Sequence, residues 1–133
     1  MTFEELFNKT VVFKDCELLD YEKGHICLKT IVNESDTNPY KKAHGGYLYT
    51  LCDDLAGLIG YSLGYYVVTI QSSISYLRQI EVNETITVEG KSIHSGKSTD
   101  VVEVNILSED GTIALQALFT LFNIKEVDKI EEY

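Results

Sequence analysis

Five residues of types that can act on a carbonyl group lie close together near the middle of the chain. His44-Gly45-Gly46 opens a segment with helical periodicity, Asn38 comes before the histidine, and Asp53 lies about two turns into the segment. The first turn of a helix presents backbone amides that stabilise a developing oxyanion, and a carboxylate can attack a carbonyl or activate water. Glycines let the backbone come close to a ligand. The spacing therefore indicates chemistry on a carbonyl compound.

Composition limits the classes of protein and partner. The chain has 133 residues, a formal net charge of −10 and a hydrophobic content of 44%. This length predicts one domain, residues 1–133, and the hydrophobic content argues against disorder. The negative charge argues against nucleic acid and anionic membranes as partners. No signal peptide or membrane span is visible and the three cysteines are not at metal-ligand spacing, so we expect a cytoplasmic protein with reduced thiols.

One long helix and a series of strands must position these residues. Thr2 is the expected cap of a short helix over residues 3–8, and helical periodicity runs through residues 45–63. Strand patterns occupy residues 11–19, 25–32, 66–79, 84–95, 98–108 and 112–124. The charged tail, Lys125 to Tyr133, is expected to fray. This order predicts an α+β domain in which a curved antiparallel sheet of five to six strands wraps around the helix.

Helical periodicity separates the two neighbouring acids of the long helix. Its apolar stripe is centred near Leu55 and Ser62, with Asp54 at the edge of the stripe. Asp53 lies nearly opposite, on a face that also carries Gly46, Tyr49, Ala56, Gly57 and Gly60. Glycine in an exposed helix costs about 0.8–1.0 kcal/mol relative to alanine, so a second subunit approaching this face would explain it. From the helix alone, that arrangement and a solvated Asp53 both remain open.

Several other residues have structural interpretations. His25 and His94 lie in strand patterns with no acid or cysteine at ligand spacing, so no metal site is expected. Cys52 falls on the apolar stripe and is expected to pack as a small hydrophobe. Gly60-Tyr61-Ser62-Leu63-Gly64 has the Gly-x-Ser-x-Gly spacing, but it lies at the end of a helical segment and not at a strand-to-helix turn, so a serine hydrolase is not expected.

The motif around His44-Gly45-Gly46, with Asn38 before it and Asp53 after it, resembles the PaaI-like branch of the hotdog-fold acyl-CoA thioesterases. Residues 68–78 resemble the strand that follows the helix in that family. Gly96-Lys97 resembles its basic hairpin. The segment from Asp110 to Ala114 resembles its last hairpin, so that the resemblance covers a core of about residues 10–124. It implies the hotdog fold and hydrolysis of an acyl-CoA thioester to the free acid and coenzyme A, without a metal or other cofactor.

The resemblance also implies a role for each residue of the motif. Asp53 would be the general base or the nucleophile, and the backbone amide of Gly45 would polarise the thioester carbonyl. Asn38 and His44 would orient the carbonyl, the water or the leaving sulfur. Thr69 would support the attacking water or the acid.

Substrate contacts and assembly follow from the same resemblance. Gly46, Arg78 and Lys97 would contact the substrate, the two cations serving the phosphates of coenzyme A. The family places its active sites between two subunits, which implies a homodimer and a pairing of dimers into a homotetramer.

The chain differs from the family pattern at Lys41, where glycine is usual, and at Gln79, where proline is usual. Lysine adopts a positive φ less readily than glycine, so the placement of Asn38 depends most on this loop. A non-catalytic hotdog module that binds acyl-CoA is the main alternative function, and it would lack an acid such as Asp53. A hotdog dehydratase, with its histidine and acid in a different context, and a purely structural dimer are two further alternatives.

Overall fold

The computed structural model describes residues 1–127, whose helices and strands follow the predicted order. Two 3₁₀ turns, Val11–Phe13 and Glu34–Asp36, precede the long helix. The helices are α1 (Phe3–Lys9) and α2 (Gly45–Ser62), and the strands are β1 (Glu17–Glu22), β2 (His25–Ile31), β3 (Tyr65–Tyr76), β4 (Thr85–Ser95), β5 (Thr99–Leu107) and β6 (Ile113–Glu126). No helix within residues 1–127 is long and apolar enough to cross a membrane.

All six strands form one antiparallel sheet in the order β1-β2-β4-β5-β6-β3. The sheet curves around α2, which contacts β2 to β6, so the predicted α+β hotdog architecture is confirmed. Strands β1 and β3 are the two edges. Strand β3 also contacts α2 closely, and it therefore brings an exposed strand edge next to the helix that carries the motif.

The core lies between α2 and the inner face of the sheet. Leu51, Leu55 and Ile59, at helical spacing, are fully buried there. The helix approaches β4 at Gly90, where an added Cβ would lie 2.5 Å from Ile59 Cδ1. A side chain at this position would therefore require the end of the Ile59 side chain to shift.

The small-residue face of α2 is packed partly by its own chain. Ala56 and Gly60 are buried, and a Cβ added to Gly60 would lie 2.8 Å from both Cγ atoms of Val67 on β3. A second subunit is therefore not needed to explain these two small residues, which corrects that part of the sequence argument. Gly57 differs, because within residues 1–127 an added Cβ there would have no atom within 4 Å beyond its chain neighbours and the backbone of its own helix.

Two sequence predictions about the ends of the chain were wrong. Residues 11–19 are not one strand, because the chain turns at Val11–Phe13 and β1 begins at Glu17. The turn buries Phe13, whose ring stacks on Phe7 with the ring centroids 5.1 Å apart. Strand β6 continues beyond residue 124 to Glu126, so the start of the tail does not fray. The Nζ atom of Lys125 lies 5.4 Å from the centroid of the Tyr66 ring. The Val127 amide also donates to the Gly64 carbonyl at 2.8 Å, and residues 128–133 lie outside the described residues.

Candidate active site

The backbone amides of Gly45 and Gly46 at the start of α2 differ in their partners. His44 is the N-cap, and its Nδ1 accepts a hydrogen bond from the Gly46 amide at 3.0 Å. The neutral imidazole that accepts at Nδ1 carries its proton on Nε2, which makes His44 a potential donor to a ligand. Within residues 1–127 the amide of Gly45 donates to no group. Gly45 therefore supplies the helix N-terminal donor, whereas the Gly46 amide is used by the cap.

Asn38 holds the loop that leads into the helix. Its Oδ1 accepts from the amides of Tyr40 at 2.9 Å and Lys42 at 3.2 Å, and its backbone carbonyl accepts from the Lys41 amide at 2.9 Å. Lys41 has a φ of 64°, so it adopts the left-handed conformation despite its side chain. The loop thus keeps a conformation that favours glycine without having a glycine there. Pro39 fits at the second position of this turn, where a φ near −65° is usual.

Asp53 and Thr69 form a second group on the same side of the sheet. Thr69 Oγ1, on the edge strand β3, donates to Asp53 Oδ1 at 2.7 Å. One turn earlier on the helix, the Tyr49 hydroxyl lies 2.7 Å from Ser72 Oγ, again on β3. These two contacts fix the Asp53 face of α2 against β3. Thr69 is exposed and Asp53 half-buried, so the carboxylate remains open to a ligand.

The two groups of the motif lie too far apart to meet within one chain. Asp53 follows Gly45 by eight residues in one continuous helix, which places them roughly 12 Å apart along the axis. A carbonyl group must lie about 3 Å from both its oxyanion donor and the attacking group. No hydrogen bond within residues 1–127 joins Asp53 to Asn38, His44 or Gly45. The residues at the helix start and the Asp53–Thr69 pair are therefore two separate groups in one chain, and we call each of them a half-site.

Tyr76 is a residue of this site that sequence reasoning missed. Its hydroxyl donates to the backbone carbonyl of Gly45 at 3.0 Å, and its ring lies 3.5 Å from the position of an added Gly45 Cβ. Tyr76 ends β3, far from Gly45 in sequence, and only the fold brings them together. Nothing local in the sequence marks this tyrosine.

The two predicted phosphate-binding cations differ in their partners. Arg78 pairs with Asp110 Oδ2 at 3.4 Å and donates to the Thr112 hydroxyl. Hydrogen bonds from the Thr112 amide and hydroxyl, with a smaller contribution from Arg78, hold the pKa of Asp110 below its usual value. Lys97 is exposed in the turn between β4 and β5 and has no ion pair among the described residues. Neither cation pairs with the motif residues of the same chain.

A cavity of about 780 Å³ opens beside the start of α2. The helix and its cap contribute His44, Gly46, Tyr47, Thr50 and Asp54 to its lining. Asp53 and Thr69 are not in this lining. Burial, followed by the nearby charge of Asp53, raises the pKa of Asp54. Residues 47, 50 and 54 are at helical spacing, so the sequence does carry a signal that they share one face of α2.

The sequence analysis predicted no acid within ligand distance of His25, and this prediction was wrong. His25 Nε2 lies 2.7 Å from Glu89 Oε2, and Nδ1 lies 3.5 Å from Asp20 Oδ2 and 3.9 Å from Glu22 Oε1. The β1–β2 hairpin pairs Glu22 with His25, and β4 brings Glu89 alongside, so the acids are neighbours in space. Asp20, Glu22 and His25 could together ligate a cation, although both acids are exposed.

Cys52 adjoins Asp53 in sequence but points into the core. Its side chain is 0% exposed, as the apolar stripe predicted. Burial and, to a smaller extent, the charge of Asp53 raise the pKa of this thiol to about 12. Cys52 therefore stays protonated near neutral pH and is not a nucleophile.

Comparison with known proteins connects this geometry to a family. A family model described as the thioesterase superfamily matches residues 40–115. The acyl-coenzyme A thioesterase PaaI of Escherichia coli K12 is 26% identical over 100 residues, which are 74% of this chain and 71% of that protein.

Two solved streptococcal structures are more similar. A hypothetical thioesterase of Streptococcus pneumoniae TIGR4, solved with coenzyme A, is 36% identical with a TM-score of 0.90 over 96% of this chain and 100% of that one. A Streptococcus mutans UA159 protein bound to acetyl-CoA is also 36% identical, with a TM-score of 0.84 over 87% of this chain and 94% of that one. The pneumococcal protein has also been solved as two variants, one with an aspartate and one with a threonine replaced by alanine.

Proposed function

The chain belongs to the thioesterase superfamily and has its hotdog fold, and from that premise we propose that it hydrolyses an acyl-CoA thioester to the free acid and coenzyme A. The observation that carries the proposal is the pair of half-sites on α2. A free helix N-terminal amide at Gly45 suits the carbonyl oxygen, and the Asp53 carboxylate held by Thr69 suits the attacking water or the carbonyl carbon. Both coenzyme A and acetyl-CoA occur in the streptococcal structures, which supports this class of ligand.

The proposed reaction uses these groups in a defined order. The Gly45 amide hydrogen-bonds to the thioester oxygen and stabilises the negative charge that develops there. Asp53 takes a proton from water, whose oxygen attacks the carbonyl carbon, or it attacks that carbon directly. The C–S bond then breaks, and the thiolate of coenzyme A leaves with the proton that Asp53 took from water. After direct attack a second step follows, in which water hydrolyses the mixed anhydride on Asp53 and releases the free acid. Thr69, through its hydrogen bond to Oδ1, holds the carboxylate in one orientation.

Two copies of the chain are proposed to complete the site. Because roughly 12 Å of helix separate Gly45 from Asp53, the acid that serves one Gly45 must come from another chain. Strand β3 is a twelve-residue edge whose Val68 and Ile70 are 46% and 56% exposed. A long edge with exposed apolar side chains is a ready surface for strand pairing. Pairing of two β3 strands would carry Asp53 and Thr69 toward the partner's helix start. Pairing of dimers into a tetramer stays a prediction from the family resemblance.

The pneumococcal variants support the choice of Asp53 and Thr69. The aspartate and the threonine replaced in that protein are separated by the same sixteen positions as Asp53 and Thr69 here. Selection of this pair of residue types for replacement is consistent with a site that contains both.

The other motif residues have supporting roles in the proposal. His44 caps the helix and presents Nε2–H to the carbonyl or the leaving sulfur, and Asn38 shapes the loop before it. Gly46 lines the cavity in which we place the acyl group. Arg78 and Lys97 are the proposed contacts for the phosphates of coenzyme A.

A spectrophotometric assay of thiol release tests this function. Purified protein is offered acetyl-, butyryl-, octanoyl- and phenylacetyl-CoA, with Asp53→Ala and Asp53→Asn assayed beside it. We expect release from at least one substrate and a loss of turnover in both variants. No release from any acyl-CoA, or unchanged turnover in both variants, would remove the assignment. Binding of acyl-CoA without turnover would instead indicate the non-catalytic module.

A further inference from the structure

The cavity beside the start of α2 carries a net negative charge. Asp15, Asp36 and Asp54 are among the described residues of its lining, against one cation, Lys14. Asp15 accepts a hydrogen bond from Asn33 at 3.4 Å. The side chain of Asp54 has no hydrogen bond or ion pair within residues 1–127, although it is half-buried. An unpaired carboxylate in the wall of a cavity is available to a ligand.

This charge decides which part of an acyl-CoA can enter. Coenzyme A carries several phosphate charges, and three carboxylates would repel them. The cations proposed to contact those phosphates, Arg78 and Lys97, are not in the lining. The acyl group is therefore the part of the substrate that suits the cavity.

The position of the cavity agrees with this assignment. His44 and Gly46, the residues on either side of Gly45, both line it. A thioester whose oxygen is held by the Gly45 amide would thus have its carbonyl carbon at the edge of the cavity. A volume of about 780 Å³ is in the usual range for a small-molecule pocket.

The environment of Asp54 disfavours its ionised form and therefore lowers the stability of the folded protein. Burial raises its pKa, with the charge of Asp53 adding to the effect, so the ionised form is disfavoured in the folded protein. Groups that are perturbed in this way and lie in a pocket are candidates for function. Thr50 lies beside it, but its hydroxyl is occupied by the Gly46 carbonyl at 2.9 Å.

We propose that the cavity selects the acyl group by charge, and that Asp54 is a specificity-determining residue in it. Acyl chains that end in a protonated amine are favoured, neutral chains are accepted, and chains that end in a carboxylate are rejected. The inference rests on the proposed thioesterase function, since it assigns the acyl end of that substrate.

Three substrates of matched chain length test the selection. β-Alanyl-, butyryl- and succinyl-CoA each present a chain of four heavy atoms that ends in an amine, a methyl group or a carboxylate. Binding is measured separately by calorimetry with the inert thioethers S-(3-aminopropyl)-, S-butyl- and S-(3-carboxypropyl)-coenzyme A. We expect the amine to bind roughly tenfold or more tightly than the carboxylate, as a charge about 6 Å from a carboxylate at a partly exposed site would give. Equal affinities for the two charged chains would overturn the proposal.

Variants assign the effect to the cavity. Asp54→Asn should reduce the ratio of amine to carboxylate affinity several-fold, whereas Asp20→Asn, which removes an exposed carboxylate on the edge strand β1, should leave the ratio unchanged. An unaltered ratio in Asp54→Asn would contradict the role of that residue. Selective binding of the thioethers without thiol release from any acyl-CoA would contradict hydrolysis and leave the charge selection in place, so the two proposals fail separately.

Discussion

The adjacent glycines Gly45 and Gly46 have different uses, which only the structure distinguishes. The Gly46 amide is bound to Nδ1 of His44, and the Gly45 amide is left for a ligand. Within this tripeptide His44 is the N-cap, the Gly45 amide is a free donor, and the Gly46 amide is the donor that the cap satisfies. His44 is accordingly both structural and, in our proposal, functional.

Substitution of His44 separates these two uses. His44→Ala should lose about 1 kcal/mol of stability, since the N-cap acceptor is removed, whereas His44→Asn keeps an effective cap and should be as stable as the parent. Turnover should fall in both variants because both lack the imidazole Nε2–H. Urea unfolding and the thiol-release assay measure the two quantities. Full turnover in His44→Asn would reduce His44 to a cap.

Asp54 predicts a pH dependence of stability. Its pKa is raised in the folded state, so the folded protein binds a proton more tightly than the unfolded chain, and this carboxyl makes the protein less stable as the pH rises above 3.8. Asp54→Asn should therefore have a higher Tm than the parent at pH 7, with a gain that shrinks as the pH is lowered toward 4. Thermal unfolding across this range measures it. A Tm gain that is independent of pH would contradict the assigned cause.

At the scale of elements, the loop before α2 tolerates a departure from the family pattern. Lys41 adopts the left-handed conformation because the turn around it is closed by three hydrogen bonds to Asn38. A lysine at φ 64° carries a backbone cost of roughly 1–2 kcal/mol, which the surrounding bonds offset. The difference in sequence therefore does not imply a different loop.

The helix α2 offers a matched pair of glycine substitutions. Gly57→Ala adds a Cβ that meets no described residue outside its own stretch of helix and should stabilise the protein by about 0.8–1.0 kcal/mol through helix propensity. Gly60→Ala places its Cβ 2.8 Å from Val67 and should destabilise by about 1–3 kcal/mol through overpacking. Urea unfolding of both variants gives the signs. Destabilisation by Gly57→Ala would mean that another backbone packs against this face.

At the scale of the whole molecule, the fold was accessible from the sequence and the site was accessible only in part. The helical periodicity over residues 45–63 and the turn signals between the later strands are local sequence patterns, and they were sufficient to predict the architecture. The motif on α2 is local as well. The contact of Tyr76 with Gly45 depends on where β3 ends against the helix, and the neighbours of His25 depend on strand register. Such non-local contacts leave no periodic signal in a single sequence.

In the proposed dimer, Gly45 of one subunit acts together with Asp53 of the other. Gly45→Pro replaces the amide proton with a ring carbon and is compatible with the helix start, since proline is favoured at the first helical position and the ψ of 132° at His44 suits a residue before proline. It should lower kcat by roughly 10²–10³-fold, as loss of an oxyanion donor does. Gly45→Ala, whose Cβ makes ordinary contact with Tyr76 at 3.5 Å, keeps the amide and is the matched control.

The most direct test is the activity of a purified heterodimer with Gly45→Pro in one subunit and Asp53→Ala in the other, assembled from differently tagged chains. In an intersubunit arrangement one site of the two keeps both its amide and its carboxylate, so the heterodimer should recover about half of the parent activity, although each variant homodimer is nearly inactive. A heterodimer as inactive as its parents would show that each site draws both groups from one chain and would contradict the account.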